Sequence, residues 1–210
     1  MEQRQQRLYQ HIQQTKLLLH AEGRNMIVIL VGESASGKST LANAFIKINP
    51  SFTKVVTYTT RPMRQGEVDG IDYHFLSEDD FNKRKESGFF IEYASYRGWQ
   101  YGTAVNFESG ENKIIVLTPA GARALLKVGA LHGHLRIVYL DVDRRSRLIK
   151  LLQRGDDIEE AYRRSLSDVG QFDAFNREAD YVMYNKQYEK SVNQLCIELA
   201  TYINQELERE

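Results

Sequence analysis

Three features of this 210-residue chain predict an α/β fold in which helices cover both faces of a parallel sheet. Short apolar runs alternate with stretches of helical periodicity, the order that builds βαβ units. Those runs are apolar almost throughout instead of alternating with polar residues, as strands buried on both faces are. The third feature is the segment Gly32-Glu33-Ser34-Ala35-Ser36-Gly37-Lys38-Ser39, which lies between the first apolar run and the helix that follows it.

Residues 26–31 form the first run and predict a strand. A helix over residues 40–47 follows and stops before Asn49-Pro50, because a residue preceding proline is pushed out of the helical region. The β-branched stretch at residues 54–57 predicts a short second strand. Residues 113–117, 135–140 and 181–184 predict three more, with a helix over about residues 121–128 after the first of them. Between the second and third strands lies an insert, residues 58–107, too rich in charges and tyrosines for core strand, which suggests a second binding lobe. Residues 144–164 predict a helix-turn-helix broken at Gly155 and carrying Arg144, Arg145, Arg147, Lys150, Arg154, Arg163 and Arg164. Near the start, Leu8, Ile12 and Leu17 to Leu19 are spaced for a helix with one buried stripe that Gly23 ends, either packing on the core or pairing with a second copy. There are no internal repeats and no low-complexity linker.

With 42% hydrophobic residues the chain can bury one well-packed α/β domain. Lysine plus arginine and aspartate plus glutamate number 28 each, so no global field would hold nucleic acid or an anionic membrane, and anion binding must come from local clusters. The single cysteine, Cys196, excludes an internal disulfide, and its place in the helical pattern of Val192, Leu195 and Leu199 favours buried packing over reactivity. No apolar run approaches the roughly 18 residues of a spanning helix, and Leu17 to Leu19 is too short for a secretion signal. The expectation is a cytoplasmic monomer or homodimer that acts on small molecules, with no nucleic acid and no membrane.

The segment at residues 32–39 fits G-x-x-x-x-G-K-[ST] in the strand, loop, helix order its mechanism needs. Glycines let the backbone wrap around a polyphosphate, successive N–H groups point inward, and the helix dipole favours anions. Lys38 would reach the β and γ phosphates, and the Ser39 hydroxyl would take one position on Mg²⁺. Gly32, Ser34, Ala35, Ser36, Gly37 and Thr40 complete the expected cradle for a nucleotide polyphosphate. The insert opens with Thr59-Thr60-Arg61-Pro62-Met63-Arg64-Gln65-Gly66-Glu67, whose two planar guanidiniums suit a dianionic phosphate. Downstream stand Asp69-Gly70-Ile71-Asp72-Tyr73-His74-Phe75, then Phe90-Ile91-Glu92-Tyr93-Ala94, then Tyr101-Gly102-Thr103.

In these motifs, in their order and spacing, the sequence closely resembles the guanylate kinase family from about residue 26 to residue 185. The resemblance implies a P-loop kinase fold: a three-layer α/β/α core with a parallel sheet, a GMP-binding insert lobe and a short helical lid. It implies a core of residues 25–57, 108–143 and 171–210, the lobe at 58–107 and the lid at 144–170, while the helical extension at residues 1–24 rests on its periodicity alone. It implies that Arg61 and Arg64 hold the phosphate of GMP with Tyr73 and Tyr101, that Glu92 reads the guanine, and that Thr57 and Thr103 stand near the base. Arg154 matches one of the lid arginines that neutralise the transferring phosphoryl. Ser165 stands where the second is usual, and Arg164, one residue earlier, is the candidate replacement, although one helical step turns a side chain by about 100°.

The chain departs from the family after residue 115, where I-L-D-x-D-x-x-G is usual and Val116 and Thr118 replace both acids. Thr118 keeps a hydroxyl that can bond the acceptor, while Asp141 and Asp143 lie after the next strand. The implied activity is ATP-dependent, Mg²⁺-assisted phosphorylation of GMP and dGMP, with Lys38, Arg61, Arg154 and Arg164 in catalysis. Loss of the acidic pair leaves open a binding module that keeps the nucleotide fold without turnover, and a kinase with a different acceptor.

Overall fold

The computed structural model describes residues 26–64, 66–104, 111–128 and 135–209. The helix expected near the start, Gln65 within the arginine motif and the last three residues of the insert, 105–107, lie outside the described residues.

The core is a five-stranded parallel sheet ordered β2-β7-β1-β8-β9, with strands β1 (Ile27–Val31), β2 (Phe52–Lys54), β7 (Asn112–Val116), β8 (Leu135–Asp141) and β9 (Tyr181–Tyr184). Every residue of β1 is buried, which is why its sequence, IVILV, shows no polar alternation. Successive side chains still point to opposite faces. Val28 and Leu30 pack with Leu41, Ala42 and Phe45 of α1 (Lys38–Ile48) and with Leu195, Leu199 and Ile203 of α6 (Val192–Arg209). Ile27, Ile29 and Val31 join Ala122 and Leu125 of α3 (Pro119–Leu126) and Phe175 on the other face. The three-layer α/β/α fold therefore follows from the two faces of one strand. Cys196 is fully buried in α6, and burial pushes its thiol up to about 11, which makes it inert packing.

Three boundaries differ from the sequence expectation. Helix α1 begins at Lys38 and not near residue 40, because Gly37 in the left-handed conformation (φ 98°) turns the loop directly into the helix. Helix α3 begins at Pro119, since Thr118 caps it by accepting from Gly121 N and proline is preorganised for the first helical position. The strand expected at residues 54–57 ends at Lys54. Val55 N still donates to Ile114 O, but the chain then leaves the core sheet for a second one.

That second sheet is built from the insert and is ordered β4-β3-β6-β5, from β3 (Tyr58–Thr59), β4 (His74–Phe75), β5 (Glu92–Tyr96) and β6 (Trp99–Thr103). Helix α2 (Glu78–Glu86) lies beside it, capped by Ser77, with acids in its first turn and bases in its last as the helix dipole favours. Its one buried residue, Phe81, stacks on Phe90 with centroids 4.5 Å apart. Strands β5 and β6 pair antiparallel through the two-residue turn Arg97-Gly98, both at positive φ (57° and 78°). This is a type I′ pattern, whose right-handed twist matches the strands. Helices α4 (Arg144–Gln153) and α5 (Ile158–Asp168) complete the fold, with Gly155 at φ 88° in the break between them.

Phe45 is fully buried and meets Phe52 edge to face at 5.3 Å, joining α1 to the strand at the sheet edge. Phe45→Ala is expected to cost about 3–5 kcal/mol of folding stability, read as a lower urea midpoint at unchanged slope.

Candidate active site

One cavity of about 920 Å³ is lined by the glycine-rich loop on one side and by the second sheet on the other, with Arg154 and Arg164 also in its wall. It opens beyond the carboxyl end of β1, where ligands of parallel α/β sheets collect. All the residues expected from the sequence to bind phosphate or base line it, from Gly32 and Ser34 to Thr40, and from Thr57 through Arg61, Arg64, Tyr73, Glu92, Tyr101 and Thr103 to Thr118.

The loop turns where β1 ends. A Cβ on Gly32 would lie 2.7 Å from the backbone oxygen of Leu140, so only glycine lets β1 and β8 stay paired as the chain turns. Ala35 is at φ 63°, and its carbonyl accepts from the Tyr188 hydroxyl at 2.6 Å. The N–H groups of the first turn of α1 lack intrahelical acceptors by geometry, and no acidic residue of that turn competes for them. Lys38 Nζ donates to Glu33 O at 2.9 Å and to Ser36 Oγ at 3.3 Å. Burial pulls its ammonium down to about 8 against the opposing pull of Asp168, which leaves it mostly protonated at neutral pH.

Across the cavity, Arg61 is 3% exposed, and its Nη2 donates to both oxygens of Glu67 at 2.8 and 3.0 Å while its guanidinium lies over Tyr73 and Phe75. Glu67 also accepts from Arg64 N, so one carboxylate fixes both arginines. Burial, then the neighbouring charges of Arg61 and Arg164, pulls Arg64 down to about 10. An arginine stays charged at neutral pH, so beyond its burial Arg64 feels the like charges of Arg61 and Arg164, which a bound anion would relieve. Tyr73 is pushed up to about 12, first by burial, and so remains a neutral hydroxyl.

Glu92 is 6% exposed; its Oε1 accepts from the Thr103 hydroxyl, while its Oε2 is buried with no hydrogen-bond partner among the described residues. Burial pushes this carboxyl up to about 7, with the Thr103 bond pulling the other way. An unpaired buried carboxylate oxygen is costly. Its position over Gly121, whose added Cβ would stand 3.4 Å away, aims it at the cavity wall formed by the cap of α3.

The basic stretch of α4 and α5 divides sharply. Lys150, Arg154 and Arg164 line the cavity. Arg147 is buried and committed to Glu33 at 2.6 Å and to Asp168, while Arg144 donates to Ser165 at 2.7 Å. Arg164 is buried and held by Asp156 and Glu160, whereas Arg154 is half exposed and paired with Asp156 alone. Bonds from Arg163 and Arg164 pull Glu160 down to about 2, so it holds them as a full carboxylate. Asp143 and Asp141 do not line the cavity, and Asp143 is occupied by capping α4 through Ser146 N and accepting from Gln187 N. Among the described residues no cluster of three or more acids, histidines or cysteines could hold a metal ion.

Sequence reasoning missed the group that joins these parts. Asp168, 2% exposed, accepts from Ser34 N (2.9 Å), the Tyr96 hydroxyl (2.5 Å) and Arg97 (2.6 Å). No linear signal marks it, since Asp168 and Ser34 are 134 positions apart.

A parallel α/β core with a phosphate loop, facing a small sheet that carries paired arginines and a buried carboxylate, defines a P-loop kinase. The profile of the guanylate kinase family matches residues 24–205. The chain belongs to the guanylate kinase family. It is 33% identical over 181 residues to the guanylate kinase of Paraburkholderia xenovorans (strain LB400), covering 83% of this chain and 80% of that protein. It is 34% identical to that of Syntrophus aciditrophicus (strain SB), covering 84% and 86%, and 32% identical to that of Nitratidesulfovibrio vulgaris (strain Hildenborough), covering 90% and 91%. The crystal structure of guanylate kinase from Anaplasma phagocytophilum shares the fold, with a TM-score of 0.62 at 20% identity over 90% of this chain and 88% of that one.

Gly32→Ala is expected to lower folding stability by about 1–3 kcal/mol, because the new methyl meets the Leu140 backbone oxygen on β8, which cannot swing away as the Ser36 hydroxyl beside it can. Differential scanning calorimetry of the variant against Gly66→Ala, where nothing lies within 4 Å, separates contact from backbone strain.

Proposed function

We propose that this chain transfers the γ-phosphoryl of ATP to GMP and dGMP, yielding GDP or dGDP and ADP. The observation that carries the reading is the unpaired Oε2 of Glu92 in the same cavity as Lys38 and the Arg61, Arg64 pair. An acceptor that offers two adjacent donors at one end and a dianion at the other satisfies both sets of groups at once. Guanosine monophosphate has that shape of chemistry; an adenine lacks the donor pair. A site that would leave a buried carboxylate unpaired rejects the wrong base by about 10⁴-fold or more.

In this reading residues 58–107 form the acceptor lobe and residues 144–170 the lid. Arg61 and Arg64, joined by the hydroxyls of Tyr73 and Tyr101, fix the GMP phosphate so that one of its oxygens faces the γ-phosphorus. Lys38 and the first-turn amides of α1 hold the donor phosphates, Glu92 with Thr57, Thr103 and Thr118 holds the base, and the oxygen bridging the β and γ phosphorus leaves with ADP. Phosphoryl transfer asks for position and charge more than for covalent help. Arg164, already beside Arg61 and Arg64, and Arg154 at the mouth supply positive charge where the phosphoryl group moves.

The residues present fit a magnesium ion held mainly by the nucleotide's own phosphates and by water, with the Ser39 hydroxyl as its protein ligand, because Mg²⁺ rarely needs an all-protein cage. Bound there, the ion would neutralise charge on the β and γ phosphates. With Val116 and Thr118 in place of the family's acids, no carboxylate of that strand end supports it, and Thr118 is already engaged as a helix cap. The setting is the cytoplasm, where both nucleotides are found, and no helix among the described residues is long and apolar enough to cross a membrane.

Lys38→Ala is expected to lower ADP formation from ATP and GMP by about 10²-fold or more with the melting transition retained. Turnover equal to the parent protein would remove the loop lysine from the reaction. Because guanine donors need Glu92 ionised and burial holds its carboxyl at about 7, GMP affinity should fall as pH drops through 7, approaching tenfold per unit. Calorimetric titration from pH 5.5 to 8.5 tests this: Glu92→Gln should bind GMP more weakly at pH 8 and keep only the phosphate's own titration, near about 6.

A further inference from the structure

Four charged or polar side chains meet at one buried point where three parts of the molecule come together. Arg97 comes from the β5–β6 turn of the second sheet, Asp168 from the last turn of α5, Arg147 from α4 and Ser34 from the phosphate loop. Arg97 Nη2 lies 2.6 Å from Asp168 Oδ1, 2.8 Å from Ser34 Oγ and 2.6 Å from the Arg164 carbonyl. Tyr96, the preceding residue, donates its hydroxyl to the same carboxylate oxygen, and Ser34 N and Arg147 Nη1 approach the other. The side chains of Arg97 and Asp168 are 4% and 2% exposed.

Local structure does not ask for arginine at this place. A type I′ turn with positive φ at both positions is served best by Asn, Asp or Gly, yet Arg97 sits there at φ 57°. A side chain held in a left-handed conformation persists where its surroundings over-determine it. Here the surroundings are Asp168, Ser34 and the end of α5. A second contact spans the same seam: the guanidinium of Arg163 on α5 stands 5.3 Å above the ring of Trp99, the first residue of β6.

We propose that Arg97 and Asp168 are positioning residues that clasp the acceptor lobe to the phosphate loop and to α5, so that the acceptor site faces the donor loop before substrate enters. The inference rests on the phosphoryl-transfer reading for its consequence, but not for its geometry. A chain whose closed arrangement is populated without ligand binds with its intrinsic affinity; one that must first close binds more weakly in proportion to the closed fraction. The pair therefore acts on the concentration of GMP needed for turnover, while two bound substrates can restore closure at saturation.

Trp99 is the only tryptophan of the chain, so its fluorescence reports the seam directly. In Arg97→Ala, acrylamide quenching of Trp99 should rise about twofold in ligand-free protein and return to the parent value with GMP and a non-hydrolysable ATP analogue. KM for GMP should rise about tenfold with kcat within about threefold of the parent. Asp168→Asn should act in the same direction, and Arg97→Ala with Asp168→Asn should be no worse than Arg97→Ala alone, as coupled partners require. Arg97→Lys, which keeps the charge, should fall between parent and alanine and serves if the alanine variant does not fold. Unchanged quenching in the folded variants, additive effects in the double variant, or a kcat loss above tenfold at unchanged KM would each overturn the proposal. If the parent protein fails to phosphorylate GMP, the activity reading fails while the quenching comparison still decides the clasp.

Discussion

The whole cleft depends on how β1 ends. Five buried apolar residues fix that strand between β7 and β8, and the next residue, Gly32, passes within van der Waals contact of the Leu140 backbone. The chain then has only a few residues in which to turn into α1, and it does so through Ala35 and Gly37 at positive φ. Because the core packs both faces of β1 and buries Phe45 of α1 against it, the N-terminus of that helix cannot wander. Phosphate-binding geometry is thus held by hydrophobic packing at a distance from any charge.

Electrostatics then divides a chain with no net charge into sharply different regions. Cations gather around the cavity, each held by carboxylates: Arg61 and Arg64 by Glu67, Arg164 by Asp156 and Glu160. These acids orient the guanidiniums, and Arg64 is still pulled down, first by burial and then by the charges of Arg61 and Arg164. Deeper in, Asp168 and Glu33 are matched with Arg97 and Arg147. Breaking one member of such a buried set leaves an uncompensated charge, which is why the set behaves as a unit.

The altered strand end after β7 reads differently in three dimensions. Thr118 replaces an acid, but its hydroxyl caps α3, and Pro119 starts the helix behind it. Val116 and Thr118 thus lead into a well-made helix start beside Glu92. Its carboxyl faces no carboxylate from this strand end, and burial alone accounts for the upward push on it.

What the sequence by itself determined was whatever is carried by neighbours along the chain. The parallel core, the loop at residues 32–39, the arginine and tyrosine motifs of the insert and the burial of Cys196 were legible because strand period, helix period and loop chemistry act over a few residues. Boundaries slipped where a cap or a sheet change decided them, as at Lys38, Pro119 and Val55. Arg154 and Arg164 were singled out along the chain and do line the cavity; the tertiary structure decided the rest of that basic stretch, with Lys150 joining them in the wall and Arg147 consumed by Glu33 and Asp168. It also decided the meeting of Ser34, Arg97 and Asp168. A buried ion pair is specified by where the packed core brings distant segments, and residues separated by most of the chain leave no periodic trace of one another.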